Sequence, residues 1–250
     1  MNFSQLSFGD FALKIHGFFL ALAFLVATWH FYKKLEKEKF NIEFFIHHFW
    51  RWVLGGILLG RLFAVLVTPE IWGQYGIFSF FAFWEGGTHE LGAIIGFLIA
   101  LLLDFKLHKI SVWKWLDIGI FSFLIGYMIV DVSGFLTGEI YGTETGLFWG
   151  VAYETFGVGS INPVHPVTLY GLVLHLWLFF FLNKKSTRWI NLPGKTAIWG
   201  IFIFFIIDFF IQFFRADPSI LIGILRIEQL IDIVLILLLW WWIKSLNFKK

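Results

Sequence analysis

The sequence predicts an all-α polytopic membrane protein of about seven transmembrane helices. A small extra-cytoplasmic head, residues 132–164, lies between helices four and five of a single transmembrane domain covering 1–250. Three observations lead there. First, of the 250 residues 59% are hydrophobic and only 14% charged, against about 25% charged in a soluble domain. Second, the apolar residues gather into seven runs of roughly span length. Third, the basic residues fall between those runs on one side only. Mean hydropathy is +0.80. This composition excludes a soluble globular enzyme, a disordered tail and a nucleic-acid binder with a basic face. Cysteine is absent, so a disulfide framework, a thiolate nucleophile and a Cys-based metal site are excluded too; no metal or cofactor is expected.

The runs lie at about 11–32, 43–67, 90–105, 112–131, 165–182, 196–215 and 228–243. The opening Met1–Asp10 segment has neither a basic leader nor a small-residue cleavage pattern, so the first run is expected to stay as a helix. The third run is short and glycine-rich. Its Gly92–Gly96 pair, like Gly56–Gly60 in the second, has the small-xxx-small spacing of close helix packing. Residues 132–164 are glycine-rich and acidic, with no Lys or Arg. Lys33, Lys34, Lys37 and Lys39 follow span one; Lys106, Lys109 and Lys114 separate spans three and four. Lys184, Lys185, Arg188 and Lys195 separate five and six, and Lys244, Lys249 and Lys250 follow seven. Fourteen of the nineteen basic residues thus share one face of a seven-span protein. The positive-inside rule makes that face cytoplasmic, giving a plasma-membrane multi-pass protein with an outside N-terminus and a cytoplasmic C-terminus. Trp240-Trp241-Trp242 reads as an interfacial anchor.

In this topology the unusual polar residues converge. His16 lies just inside span one from outside, and Arg61 in the outer part of span two. Trp84-Glu85-Gly86-Gly87-Thr88-His89-Glu90 enters span three from outside. Asp131 ends span four, with Glu139 beyond it, and His165 and Tyr170 begin span five. Asp208, Gln212 and Arg215 end span six at i, i+4, i+7 spacing, which places them on one helical face; Gln229 and Asp232 begin span seven. A buried unpaired charge is costly in a bilayer. So many polar groups within apolar runs point to a shared cavity at the outer leaflet. Each alone has a plainer reading: His89 as a loop hydrogen-bonder, Asp131, Asp208 and Arg61 as a structural charge network.

Several segments resemble the prolipoprotein diacylglyceryl transferase family, over nearly the whole chain and in order. Leu59-Gly60-Arg61 looks like its Gly-Gly-Arg segment, and Trp84-Glu85-Gly86-Gly87 with Gly92 and Gly96 is similar to its Gly-rich run. Gly138-Glu139-Ile140-Tyr141-Gly142 matches the end of its signature, and His165-Pro166-Val167-Thr168-Leu169-Tyr170 resembles its H-P-[ST]-Q-L-Y-E motif. Phe213-Phe214-Arg215 and Glu228-Gln229-Leu230 match the last two blocks, and Ile15-His16-Gly17 stands where the family has Tyr-Gly. The resemblance implies transfer of a diacylglyceryl group from phosphatidylglycerol to the lipobox cysteine thiol of a preprolipoprotein. It also implies Glu139 and Arg61 as catalytic residues, and His89, two residues from the position of the family histidine, completes the expected catalytic set. Arg215, His16, Tyr141, Gly142, His165, Tyr170 and Gln229 would then meet the lipid or its headgroup.

The sequence departs from that pattern at defined points. Leu91 stands where the family has a histidine, with His89 two residues away; Asp131 and Asp208 replace two arginines; Gly134, Thr137 and Gln212 replace two asparagines and a glutamate. At about 4 Å a like-charge contact costs roughly 4 kcal/mol at an effective dielectric near 20, so two acids oppose an anionic headgroup unless they are paired. Ion pairs with Arg61 and Arg215 are one expectation. Three readings stay open on the sequence: an active transferase with His89 in place of the missing histidine, a relative using another lipid or acceptor, and a non-catalytic lipid-binding or scaffolding protein.

Overall fold

The computed structural model describes residues 5–8, 11–67, 76–81, 90–153 and 162–245. Two short strands, β1 (Gln5–Phe8) and β2 (Phe11–Lys14), pair antiparallel. Among the described residues seven α-helices follow: α1 (Ile15–Lys37), α2 (Ile42–Val67), α3 (Glu90–Leu107), α4 (Trp113–Thr137), α5 (Val167–Trp189), α6 (Lys195–Ile211) and α7 (Ile227–Ser245). A second two-stranded ribbon, β3 (Leu221–Ile222) with β4 (Leu225–Arg226), turns at Gly223, whose φ of 66° suits a residue without Cβ. Among the described residues, five segments are long and apolar enough to cross a membrane: Ile15–Lys37, Ile42–Leu66, Trp113–Thr137, Val167–Trp189 and Lys195–Phe214. The helices turn large apolar side chains outward, among them Leu25, Trp29, Leu66, Val173 and Trp177. Such a surface suits lipid, not water.

The chain divides into two compact units. The first joins residues 1–34 to 113–250. Its core is Ile120 and Leu124 of α4, Val167, Leu178 and Leu182 of α5, and Phe204, Ile207 and Ile211 of α6. One end of this unit is tied by aromatic and capping contacts. Trp113 of α4 meets Trp242 of α7 with ring centroids 5.3 Å apart. Asp117 accepts the Gly194 and Ala197 amides at 2.7 and 2.8 Å, supplying an anionic cap to the first turn of α6. The opposite end carries the polar residues described below.

The second unit is residues 35–112, chiefly α2 against α3. Glycine permits their approach. A Cβ on Gly92 would meet the Leu59 carbonyl oxygen at 2.6 Å, and one on Gly96 would strike the Gly55 carbonyl. The small-xxx-small spacing in the sequence therefore corresponds to a real helix–helix seam. Arg61, in the same unit, is fully buried.

Two boundaries differ from the sequence reading. The residues at 11–14 are strand, so α1 starts at Ile15. Helix α4 runs past Asp131 to Thr137, because Ser133 and Gly134 are small enough to remain in a packed helix; the α4–α5 connection thus begins at Gly138.

Candidate functional site

The polar end of the first unit is built from both ends of its sequence. Helix α4 places Ser133, Gly134 and Thr137 in its last turn, all buried. A Cβ at Gly134 would sit 2.8 Å from the Thr168 methyl, so the residue that replaces a family asparagine serves α4–α5 packing. Thr137 Oγ1 donates to the Ser133 carbonyl at 3.0 Å and accepts the Glu139 amide at 3.4 Å. Gly138, at φ 68°, turns the chain out of the helix, and the Tyr153 ring packs where its Cβ would be. These contacts fix the backbone that presents Glu139.

Glu139 meets His16 from the first turn of α1. His16 Nδ1 lies 3.1 Å from Ser133 Oγ and 3.5 Å from Glu139 Oε2. The side chains are 28% and 49% exposed, so an acidic proton could reach either from outside. Such a carboxylate–imidazole pair can accept and hold a proton.

A small β arrangement sets the next layer. Gly142 and Arg215 form an antiparallel bridge. The Gly142 amide donates to the His165 carbonyl at 3.1 Å, Thr143 to Phe214 at 2.8 Å, and Ala216 to the Tyr141 carbonyl at 2.9 Å. Gly142 is required here: an added Cβ would lie 2.5 Å from the His165 carbonyl oxygen. His165 Nδ1 is 2.9 Å from Tyr170 Oη, which also accepts Trp149 Nε1–H at 2.8 Å.

Cations close the far side. Arg215 binds Asp217 through Nε at 2.8 Å and Nη2 at 2.6 Å, a two-point fork. Arg226 reaches the same carboxylate at 3.0 Å and the Asp217 carbonyl at 2.9 Å. Gln229 accepts the Arg226 amide at 3.0 Å and donates to the Phe209 carbonyl at 3.4 Å. Glu228 Oε2 lies 3.6 Å from Arg226 Nε, so two guanidiniums and two carboxylates are interleaved here; the guanidinium N–H groups are the donors this layer can turn toward an anion.

The charge-reversed positions have their own partners. Asp131 is buried and held by His175 Nδ1 at 2.7 Å, and the His175 ring stacks on Phe204 and meets Tyr127 edge-on. Asp208 accepts from Gln212 at 3.2 Å. The direct ion pair of Arg215 is with Asp217, while Asp208 acts on the same guanidinium through space. The three-residue helical face is corrected. Helix α6 stops at Ile211, a 3-10 turn covers Gln212–Phe214, and Arg215 is extended at φ −78°, ψ 141°.

Of the sequence-derived set, His16, Tyr141, Gly142, Glu139, His165, Tyr170, Arg215 and Gln229 all lie in this one unit. Arg61 lies in the other. His89 and the Trp84–Gly87 run fall outside the described residues, as does the Leu91 side chain. Sequence reasoning missed Ser133, His175 and Asp217. His175 had one signal, a lone imidazole inside the apolar run Leu172–Phe181, and Asp217 another, its i+2 spacing from Arg215.

The family model described as prolipoprotein diacylglyceryl transferase matches residues 4–244. The chain belongs to that family. It is 27% identical over 263 residues to a phosphatidylglycerol–prolipoprotein diacylglyceryl transferase of Wolbachia pipientis subsp. Culex pipiens, covering 100% of this chain and 97% of that protein. It is similar to the protein of that name from Synechocystis, 29% identical over 238 residues, covering 92% of this chain and 83% of the relative. Against the one from Campylobacter hominis it is 27% identical over 273 residues, with 98% and 92% covered. Membership of this membrane-embedded family agrees with the apolar helices of the fold.

Proposed function

We propose that this protein transfers the diacylglyceryl group of phosphatidylglycerol to the cysteine thiol of a lipobox-bearing preprolipoprotein. The observation that carries the reading is the Glu139–His16 pair: the acid retained from the family signature meets an imidazole 123 positions earlier in the chain. The thiolate is the reactive form of cysteine. His16, oriented by Ser133 and backed by the Glu139 carboxylate, takes the thiol proton. Sulfur then bonds to the diacylglyceryl carbon as that carbon's bond to the phosphate oxygen breaks. Glycerol phosphate leaves with the bonding pair.

Charge on that leaving group grows through the transition state and is best met by preset donors. Arg215, bridged through Gly142 to the segment bearing Glu139, is assigned this task, with Arg226 behind it. The Asp131–His175 contact removes one of the two apparent objections to an anionic headgroup, because that carboxylate is spent within the helix pair. Arg61 keeps a role drawn from the family motif alone, and His89 one drawn from its place two residues before Leu91, where the family has its histidine. The seven helices are read as seven spans with an outside N-terminus, which puts this site, with the α4–α5 head, at the outer leaflet of the plasma membrane.

The test is reconstitution of the full chain in vesicles holding phosphatidylglycerol labelled in one acyl chain, with a lipobox peptide. Label moves to the peptide as a thioether on cysteine. Absence of transfer by inserted, monodisperse protein overturns the reading. A parallel arm with labelled phosphatidylethanolamine addresses Asp208, the remaining acid at a family arginine position; transfer from that lipid alone would change the substrate.

A further inference from the structure

Away from this site, in the unit formed by α2 and α3, His48, Asp104 and His108 bring ring nitrogens and a carboxylate oxygen within 4.8 Å of one another. Asp104 and His108 are one turn apart on α3, and His48 comes from α2. We propose that these three residues bind a first-row divalent transition ion of the Zn2+ class, joining the two helices at their lysine-flanked end.

The tautomers support the assignment. His48 Nδ1 lies 2.8 Å from the Phe44 carbonyl oxygen, and His108 Nδ1 lies 2.8 Å from the Asp104 carbonyl oxygen. A carbonyl only accepts, so both Nδ1 atoms carry the proton. In that tautomer the imidazole lone pair is on Nε2, and neither Nε2 bonds to another of the described residues. A backbone carbonyl on the distal nitrogen is the usual way a metal-binding imidazole is oriented. Phe44 holds both rings, stacked on His48 at 4.3 Å and edge-on to His108 at 5.2 Å.

The carboxylate is oriented in the same manner. Trp52 Nε1–H donates to Asp104 Oδ2 at 2.8 Å, while among the described residues Oδ1 has the long 3.4 Å contact from a half-exposed Arg51. Three atoms no more than 4.8 Å apart share a point within roughly 2.8 Å of each, against about 2.0–2.2 Å for Zn2+ to nitrogen or oxygen. Side-chain rotations of under about 1 Å close that gap. Two imidazoles and one carboxylate favour Zn2+ or Co2+ over Mg2+ and Ca2+, which prefer oxygen shells.

The test uses full-length protein purified in detergent through a non-histidine tag, stripped with chelator and titrated with Co2+. One Co2+ per chain is expected, with visible d–d absorption that Zn2+ abolishes and Mg2+ does not. Zn2+ also raises the melting temperature. His48→Ala and His108→Gln each weaken Co2+ binding by roughly 100-fold or more, beyond the loss typical of an outer-shell change. His47→Ala, an exposed neighbour with the same Nδ1-to-carbonyl bond but outside the cluster, keeps wild-type binding. Wild-type affinity in His48→Ala or His108→Gln overturns the site. So does displacement by Mg2+, or failure of cooperatively melting wild-type protein to bind stoichiometric Co2+.

Discussion

His16 Nδ1 and Glu139 Oε2 stand 3.5 Å apart, although the two residues enter the site from opposite ends of the α1–α4 segment. Ser133 holds the imidazole from the third side, so its position depends on α4 and not on the loop alone. Glu139→Gln removes the charge and keeps the shape. Its kcat for diacylglyceryl transfer should fall roughly 100-fold, the lower range for a general acid–base group, with little change in melting temperature. His16→Ala should fall similarly. A variant of either kind with wild-type kcat removes that residue from proton transfer.

The buried Asp131–His175 contact predicts a characteristic double-mutant pattern. His175→Leu leaves a carboxylate in an apolar helix interface and should cost about 2–3 kcal/mol, read as a lower melting temperature in detergent. Asp131→Leu should cost a comparable amount through the abandoned imidazole. The double variant should be less destabilised than the sum of the two single variants, because no orphaned polar partner remains. Additive losses would mean that the two side chains contribute separately.

Arg215 and Asp217 form a planar two-point contact that an ammonium cannot reproduce. Arg215→Lys should therefore behave much like Arg215→Gln, each lowering kcat/KM at least about tenfold, or roughly 1.4 kcal/mol in transition-state stabilisation. Full rescue by lysine would assign Arg215 the role of a simple point charge.

Tyr153 provides an alkaline marker of the head. Its burial over Gly138 pushes the phenol up to about 12. A raised tyrosine pKa means the fold favours the neutral ring, so the stabilisation is complete below the unfolded value near 10 and declines as pH rises through 12. Tyrosinate absorbance should show one late-ionising phenol that Tyr153→Phe removes. An unchanged titration in that variant would place the late group elsewhere.

The helical layout was largely legible because lipid-facing and buried surfaces are both apolar, which turns each span into a long unbroken run. The α2–α3 seam was legible as well, since Gly92 and Gly96 permit an approach that larger residues forbid. Charge pairing was less so. Asp131 selects a histidine 44 positions later on another helix, a choice set by α4–α5 packing and invisible to spacing. Asp217 was readable in principle, because extended residues at i and i+2 share a side, but the sequence continues the apolar pattern of α6 up to Arg215 and suggested helix there. The β1–β2 hairpin was hidden for a related reason: Phe11–Lys14 reads as the start of the apolar run that becomes α1.

The central claim is the reaction itself, and complementation tests it most directly. A bacterial strain depleted of its own diacylglyceryl transferase is supplied with this protein, and modification of a preprolipoprotein is followed by its mobility and lipid content. The account predicts that the wild-type chain restores the diacylglyceryl-modified form and that Glu139→Gln, expressed to the same level, does not. Unmodified preprolipoprotein accumulating beside abundant, membrane-inserted wild-type protein would contradict it.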